Sequence, residues 1–185
     1  MMRLFLAIEL PQDVKDQLIA VRKRLEPALP KIAYTRAENL HLTLKFLGEV
    51  EKKRLTPITE SLALIKTQPI ELSAEGIECF PHRGAINVIT ASMTGTLPPL
   101  RALVESIEQR CKFLGFEKEQ RAYRPHATIA RARPVLSAKF RGTAEEATQD
   151  LWPGPAFTPS EFVLMNSQLT PEGSKYTPVA HFQLV

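Results

Sequence analysis

The 185-residue chain is poor in cysteine, tryptophan and glycine, with two, one and eight respectively. Cys79 and Cys111 lie far apart and form no C-x-x-C pair. So few thiols argue against a disulfide framework and for reduced side chains in a cytoplasmic protein. The eight glycines are scattered, so no glycine-rich phosphate loop is present. The N-terminal apolar run, RLFLAIEL, is short, is interrupted by Glu9 and precedes no small-residue cleavage site. It reads as a buried strand rather than a signal peptide. No stretch approaches the length of a membrane span, so no membrane partner is expected.

What is present is ordinary for a globular chain: 44% hydrophobic residues and a length that suits one domain, or two small lobes sharing an extended sheet. The net charge of +4 and the pI of about 9.2 favour a polyanionic partner.

Hydrophobic periodicity divides the chain into alternating elements. After Pro11, the apolar positions Val14, Leu18, Val21 and Leu25 mark a helix that Pro27 and Pro30 close. Strands follow over 31–36 and 40–47, the latter ended by Gly48. A second helix starts between Glu51 and Pro57, with Leu55, Ile58, Leu62 and Ile65 on its apolar face. Residues 70–80 and 85–93 read as paired strands joined through PHRG. Leu100, Leu103, Val104, Ile107, Cys111 and Leu114 define a third helix, capped by Gly115. A strand covers 123–132, a short helix falls between Ser137 and Thr148, and a C-terminal hairpin turns over PEGS. Strands and helices alternate, but several strands adjoin directly, so an α+β fold with mixed or antiparallel sheet is expected.

One strand is oddly polar. NLHLTLKFLG places His41 and Thr43 two residues apart in an apolar run. Alternation aims both side chains at one face, opposite Leu42 and Leu44. The same order returns in RPHATIARA, where His126 and Thr128 oppose Ala127 and Ile129. The chain has four histidines, and composition alone gives two such pairs with a chance of about 3%. Each copy also lies on a strand in its own half of the chain. His82 and His181 lack the pattern and read as packed or surface residues.

Two imidazoles and two hydroxyls suit a phosphodiester. One histidine takes a proton from water while the other protonates the leaving oxygen. The threonine hydroxyls hold the non-bridging oxygens as their charge grows. No Asp, Glu or Cys stands at ligand spacing beside the histidines, so neither a metal nor another cofactor is expected. Arg121, Arg124, Arg131 and Arg133 around the second motif, and Lys45 after the first, are candidate phosphate cations. Arg121 and Arg124 also fit a solvated surface.

NLHLTLKFLGEV and RPHATIARA resemble the paired H-x-T-x motifs of the two-histidine (2H) phosphoesterase superfamily. RLFLAIELP and the C-terminal MNSQLTPEGSKYTPVAHFQL are similar to its RNA 2',3'-cyclic phosphodiesterase branch, also called the 2'-5' RNA ligases, and the likeness spans nearly the whole chain. The resemblance implies a single domain over 1–185 made of two pseudo-symmetric lobes, with helices outside, a central cleft and one motif in each lobe. It implies hydrolysis of a 2',3'-cyclic phosphate at an RNA end to a 2'-phosphate, with His41 as proton donor and His126 as proton acceptor. Thr43 and Thr128 would hold the phosphate. The family's further positions, an aromatic five residues after the first histidine and an arginine five after the second, fall on Phe46 and Arg131. An offset of five puts both on the wrong strand face unless a bulge, strong twist or strand end intervenes. Phe46 therefore reads equally as a base-stacking ring or a core residue. RNA ends, tRNA fragments among them, or small cyclic nucleotides are the expected partners of a monomer. The same residues would serve 2'-5' ligation, the reverse reaction. A non-catalytic protein that binds RNA ends or nucleotides is the remaining alternative.

Overall fold

A computed structural model describes residues 1–30, 32–171 and 173–184. Its elements run β1 (Met2–Glu9), α1 (Gln12–Ala28), β2 (Ala33–Tyr34), β3 (His41–Val50), α2 (Leu55–Leu62), β4 (Leu72–Phe80), β5 (Ile86–Gly95), α3 (Leu97–Phe113), β6 (His126–Leu136), α4 (Phe140–Thr148), β7 (Glu161–Thr170) and β8 (Gly173–Gln183). The strands join in one sheet ordered β4-β5-β6-β3-β1-β7-β8, with β2 beside β6. Every pairing among the described strands is antiparallel, so the α+β expectation holds in its antiparallel form.

The four helices bury their apolar stripes on one face of this sheet. Val14, Leu18, Ile58, Leu62, Leu103, Ile107 and Ala144 share a single core with Leu6, Leu42, Ile89, Ala127 and Leu164. Residues of opposite parity point away from the helices. Phe5, Ala7, Val163 and Met165 form a small second cluster there, with Tyr176 against it. That second face carries both histidine motifs.

Several boundaries differ from expectation. Pro27 sits inside the last turn of α1, which ends only when the Leu29 N–H bonds to the Leu25 carbonyl. The strand expected over 31–36 pairs only at Ala33 and Tyr34, opposite Arg131 and Ala130; Lys31 lies outside the described residues. Gly48 does not end β3. It takes φ of +74°, pairs with Leu4 and lets the strand bend on to Val50. Gly115, also at positive φ, does follow the end of α3. The last two strands pair as the expected hairpin.

Where β3 and β6 meet, they touch through one pairing, Leu42 with Ala127. These are the second residues of the two motifs. The middle of the sheet is thus a narrow seam with His41–Thr43 on one side and His126–Thr128 on the other. The chain leading into each histidine crosses to the opposite strand. The β2 segment lies along β6, with the Thr35 N–H bonded to the Ile129 carbonyl at 2.8 Å. The segment before His126 reaches β3, where the Tyr123 hydroxyl donates to the Thr43 carbonyl at 3.0 Å. Each half thereby braces the other's motif.

Candidate active site

The two motif strands share the same irregularity. In the β1–β3 ladder, Leu6 faces Lys45 and Ala7 faces Thr43, so Leu44 is an extra residue. In the β5–β6 ladder, Ile89 faces Ala130 and Thr90 faces Thr128, so Ile129 is extra. Each bulge falls three residues after its histidine. Because strand alternation has a period of two, one extra residue switches every later side chain to the other face. The bulges turn Phe46 and Arg131 onto the histidine face, which a regular strand would not do. Phe46 pairs with Phe5, their rings 5.8 Å apart, and is 65% exposed, so it is no core residue.

Lys45 goes the other way. The same bulge sends it to the helix side, where it is 6% exposed. Its Nζ donates to both Glu108 carboxylate oxygens at 2.9 and 2.8 Å and to the Glu117 carbonyl at 2.9 Å. The reading of Lys45 as a phosphate cation is therefore corrected: a charge buried on that side needs a carboxylate, and Glu108 supplies it.

Each histidine is held in the same manner. His41 Nδ1 lies 2.7 Å from the Asn39 carbonyl, and His126 Nδ1 lies 2.7 Å from the Arg124 carbonyl. A carbonyl only accepts, so Nδ1 carries the proton in both rings and Nε2 is left for chemistry. His41 Nε2 meets the Thr43 hydroxyl at 2.9 Å. Asn39 is itself tied down, its side-chain amide donating to the Ser174 carbonyl at 2.7 Å.

Burial lowers the pKa of His41 below its ordinary value, outweighing the Asn39 carbonyl, which raises it; His126 and Arg131 lower it further. The Leu42–Ala127 pairing is what sets the two motifs next to each other. Arg131 is exposed, and among the described residues no carboxylate pairs with it. Its charge is free for an anion. Arg124 is bound differently: its guanidinium donates to His82 Nε2 at 2.8 Å. Arg121 and Arg133 are exposed.

Aromatic rings flank both histidines, and most of them carry no motif in the sequence. Phe5 lies 5.0 Å and Tyr176 5.3 Å from the His41 ring. Phe80 lies 6.1 Å from the His126 ring and 4.5 Å from His82. Phe5 stands beside His41 because β1 is its ladder neighbour, and Tyr176 comes from the C-terminal hairpin. Neither follows from spacing along the chain. His181, set aside in the sequence, is exposed and paired with Glu161 at 2.9 Å.

Two antiparallel strands, each presenting an imidazole and a hydroxyl to a common face beside an unpaired guanidinium, define a class of protein built to handle a phosphate ester. The comparisons with known proteins agree. The family model described as LigT like Phosphoesterase matches residues 8–90. The RNA 2',3'-cyclic phosphodiesterase of Methanocaldococcus jannaschii is 33% identical over 95% of this chain and 96% of its own. That of Archaeoglobus fulgidus is 29% identical over 98% and 100%. A crystal structure of a Thermus thermophilus protein superposes with a TM-score of 0.78 at 26% identity, covering 99% of this chain and 98% of that one. Escherichia coli LigT, solved with 3'-AMP, shares the fold with a TM-score of 0.80 at 24% identity, covering 99% of this chain and 98% of its own. The chain belongs to the LigT-like phosphoesterase family.

Proposed function

We propose that this protein is an RNA 2',3'-cyclic phosphodiesterase, a hydrolase that opens the cyclic phosphate at an RNA end and leaves a 2'-phosphate. The observation that carries the mechanism is the matched pair of imidazoles, each with Nδ1 fixed on a carbonyl so that Nε2 is the atom turned to the substrate, in His41 beside the Thr43 hydroxyl. His126 takes a proton from water as the water oxygen attacks phosphorus. The P–O3' bond breaks on the opposite side, and His41 gives its proton to O3'. Thr43, Thr128 and Arg131 hold the non-bridging oxygens as they gain charge. Phe46 offers its exposed ring to the base of the terminal nucleotide. The chain acts as one domain with one motif from each half, as a monomer in the cytoplasm. Its substrates are RNA ends, including tRNA fragments, or small cyclic nucleotides. Among the described residues no helix is long and apolar enough to cross a membrane.

The test is product analysis with 2',3'-cyclic-phosphate RNA of several lengths, with and without EDTA. The expected product is a 2'-phosphate and a free 3'-hydroxyl at an undiminished rate in EDTA. A 3'-phosphate would reverse the donor's position, and EDTA inhibition would require a metal.

The His41 shift has a consequence with a definite sign. A proton donor must start protonated, yet burial favours neutral His41 in the empty site. The basic limb of kcat/KM, which reports the free enzyme, should therefore lie below pH 6.5, the ordinary histidine value. A bound phosphate anion favours the imidazolium, so the basic limb of kcat should lie at higher pH. Coincident limbs in the two profiles would remove His41 from the donor's role.

A further inference from the structure

Each motif histidine is the first residue of its strand, since β3 begins at His41 and β6 at His126. The carbonyls that hold the two Nδ1 atoms, on Asn39 and Arg124, therefore lie outside the sheet ladder. Backbone bonding secures them poorly. The Asn39–Leu40 peptide has one 3.2 Å bond, from the Leu40 N–H to the Ala37 carbonyl. The Arg124–Pro125 peptide has no N–H to give. A peptide group held so lightly can turn, and a turned carbonyl takes its imidazole with it.

Side chains supply the missing hold. The Asn39 amide donates to the Ser174 carbonyl at 2.7 Å, and the Arg124 guanidinium donates to His82 Nε2 at 2.8 Å. Both acceptors belong to the margins of the sheet, whose edge strands are β4 and β8. Ser174 is the second residue of β8 and pairs with Leu169 of β7. His82 lies in the turn after β4, which Arg141 of α4 fixes by donating to the carbonyls of Cys79 at 2.7 Å and Pro81 at 2.9 Å. Each edge strand also lays a ring beside its histidine. Tyr176 of β8 lies 5.3 Å from the His41 ring, and Phe80 of β4 lies 6.1 Å from the His126 ring. The arrangement thus occurs twice with unlike chemistry. Asn39 and Arg124 share only an N–H donor in the side chain and a catalytic ring on the carbonyl.

We infer that Asn39 and Arg124 are positioning residues, each tethering a catalytic imidazole to an edge of the sheet. This rests on the phosphodiesterase reading. Both side chains are engaged in their tethers, so Arg124 leaves the phosphate to Arg131. Misplacing a reacting group by about 1 Å costs up to about 10²-fold in rate. Loss of a tether therefore lowers kcat and leaves KM alone, because the groups that grip the substrate remain.

The test measures kcat and KM on a 2',3'-cyclic-phosphate RNA. Arg124→Ala and His82→Ala should each lower kcat by about three- to ten-fold with KM unchanged. The double variant Arg124→Ala/His82→Ala should be no worse than either single one, since all three lose the same bond. His82→Gln offers an amide oxygen as acceptor and should restore most of kcat. A raised KM in Arg124→Ala beside an unaffected His82→Ala would make Arg124 a substrate cation and overturn the tether, and so would additive losses in the double variant. Asn39→Ala should lower kcat to a similar degree and shift the basic limb of kcat/KM to lower pH. Burial lowers the His41 pKa, the Asn39 carbonyl opposes it, and His126, Arg131 and Lys15 add to the lowering. Loosening the carbonyl weakens the opposing influence. An unmoved limb overturns the tether at His41. Failure of the wild type to hydrolyse the cyclic end would instead refute the parent reading; an active wild type with unaffected variants overturns the tethers alone.

Discussion

Replacing either motif histidine by alanine should lower kcat by about 10² to 10⁴-fold, the range that positioned acid–base groups contribute. Both rings hang from a carbonyl two residues back in sequence, Asn39 for His41 and Arg124 for His126. The substitutions therefore delete only local hydrogen bonds, those of His41 to Asn39 and Thr43 and that of His126 to Arg124, and leave the Leu42–Ala127 seam intact. Folding, read by circular dichroism and urea midpoint, should be close to wild type. The double variant should be far less impaired than the product of the two single losses, because an acid without its base does little. Thr43→Ala and Thr128→Ala should cost about 10²-fold or less each, since they weaken one contact to a developing oxyanion. Near-wild-type turnover in either histidine variant would sink the mechanism. Equal residual activity in the single and double histidine variants would support a concerted pair.

Much of this site was legible in the chain before any fold was known, because strand alternation is a local rule. His41 with Thr43, and His126 with Thr128, needed only the period of two. Their convergence needed more. It depends on β3 and β6 meeting at Leu42 and Ala127, a pairing between residues 85 positions apart. The repeated motif, not periodicity, was the hint that they meet. Phe46 and Arg131 were placed by likeness against their strand parity. The bulges at Leu44 and Ile129 account for that conflict. Only the second copy carries a trace of its bulge in the sequence: Ile129 and Ala130 are two apolar residues in succession, whereas Leu44 and Lys45 continue the alternation and hide theirs. Lys45 misled because a lysine beside a motif reads as a surface cation until its carboxylate partner, 63 residues on, is seen. Phe5, Tyr176 and Phe80 carry no local signal. Each reaches its histidine through ladder neighbours or a distant hairpin.

The ion pair behind the site should prove the most sensitive non-catalytic feature of the chain. Lys45 and Glu108 are 6% and 7% exposed, and they join β3 to α3. Lys45 also holds the Glu117 carbonyl, and Glu108 accepts from the Glu119 N–H at 3.4 Å. The pair thus ties down the segment that leads to Tyr123 and His126. Lys45→Met would leave the Glu108 carboxylate buried without its cation, and Glu108→Leu would leave the ammonium without its anion. Breaking such a pair from one side costs about 3–5 kcal/mol, because the surviving charge has no water to return to. For a chain of this size that is a fall in Tm on the order of 10 °C. Lys45→Met/Glu108→Leu removes both charges and refills the space with apolar atoms, so it should be more stable than either single variant. It still leaves the Glu117 carbonyl and Glu119 N–H without these partners, at about 1–3 kcal/mol if they stay dry. Urea unfolding of the four proteins gives the coupling directly as a double-mutant cycle. A coupling near zero would mean that water reaches the pair, and that packing alone holds the bulge which aims Phe46 at the site.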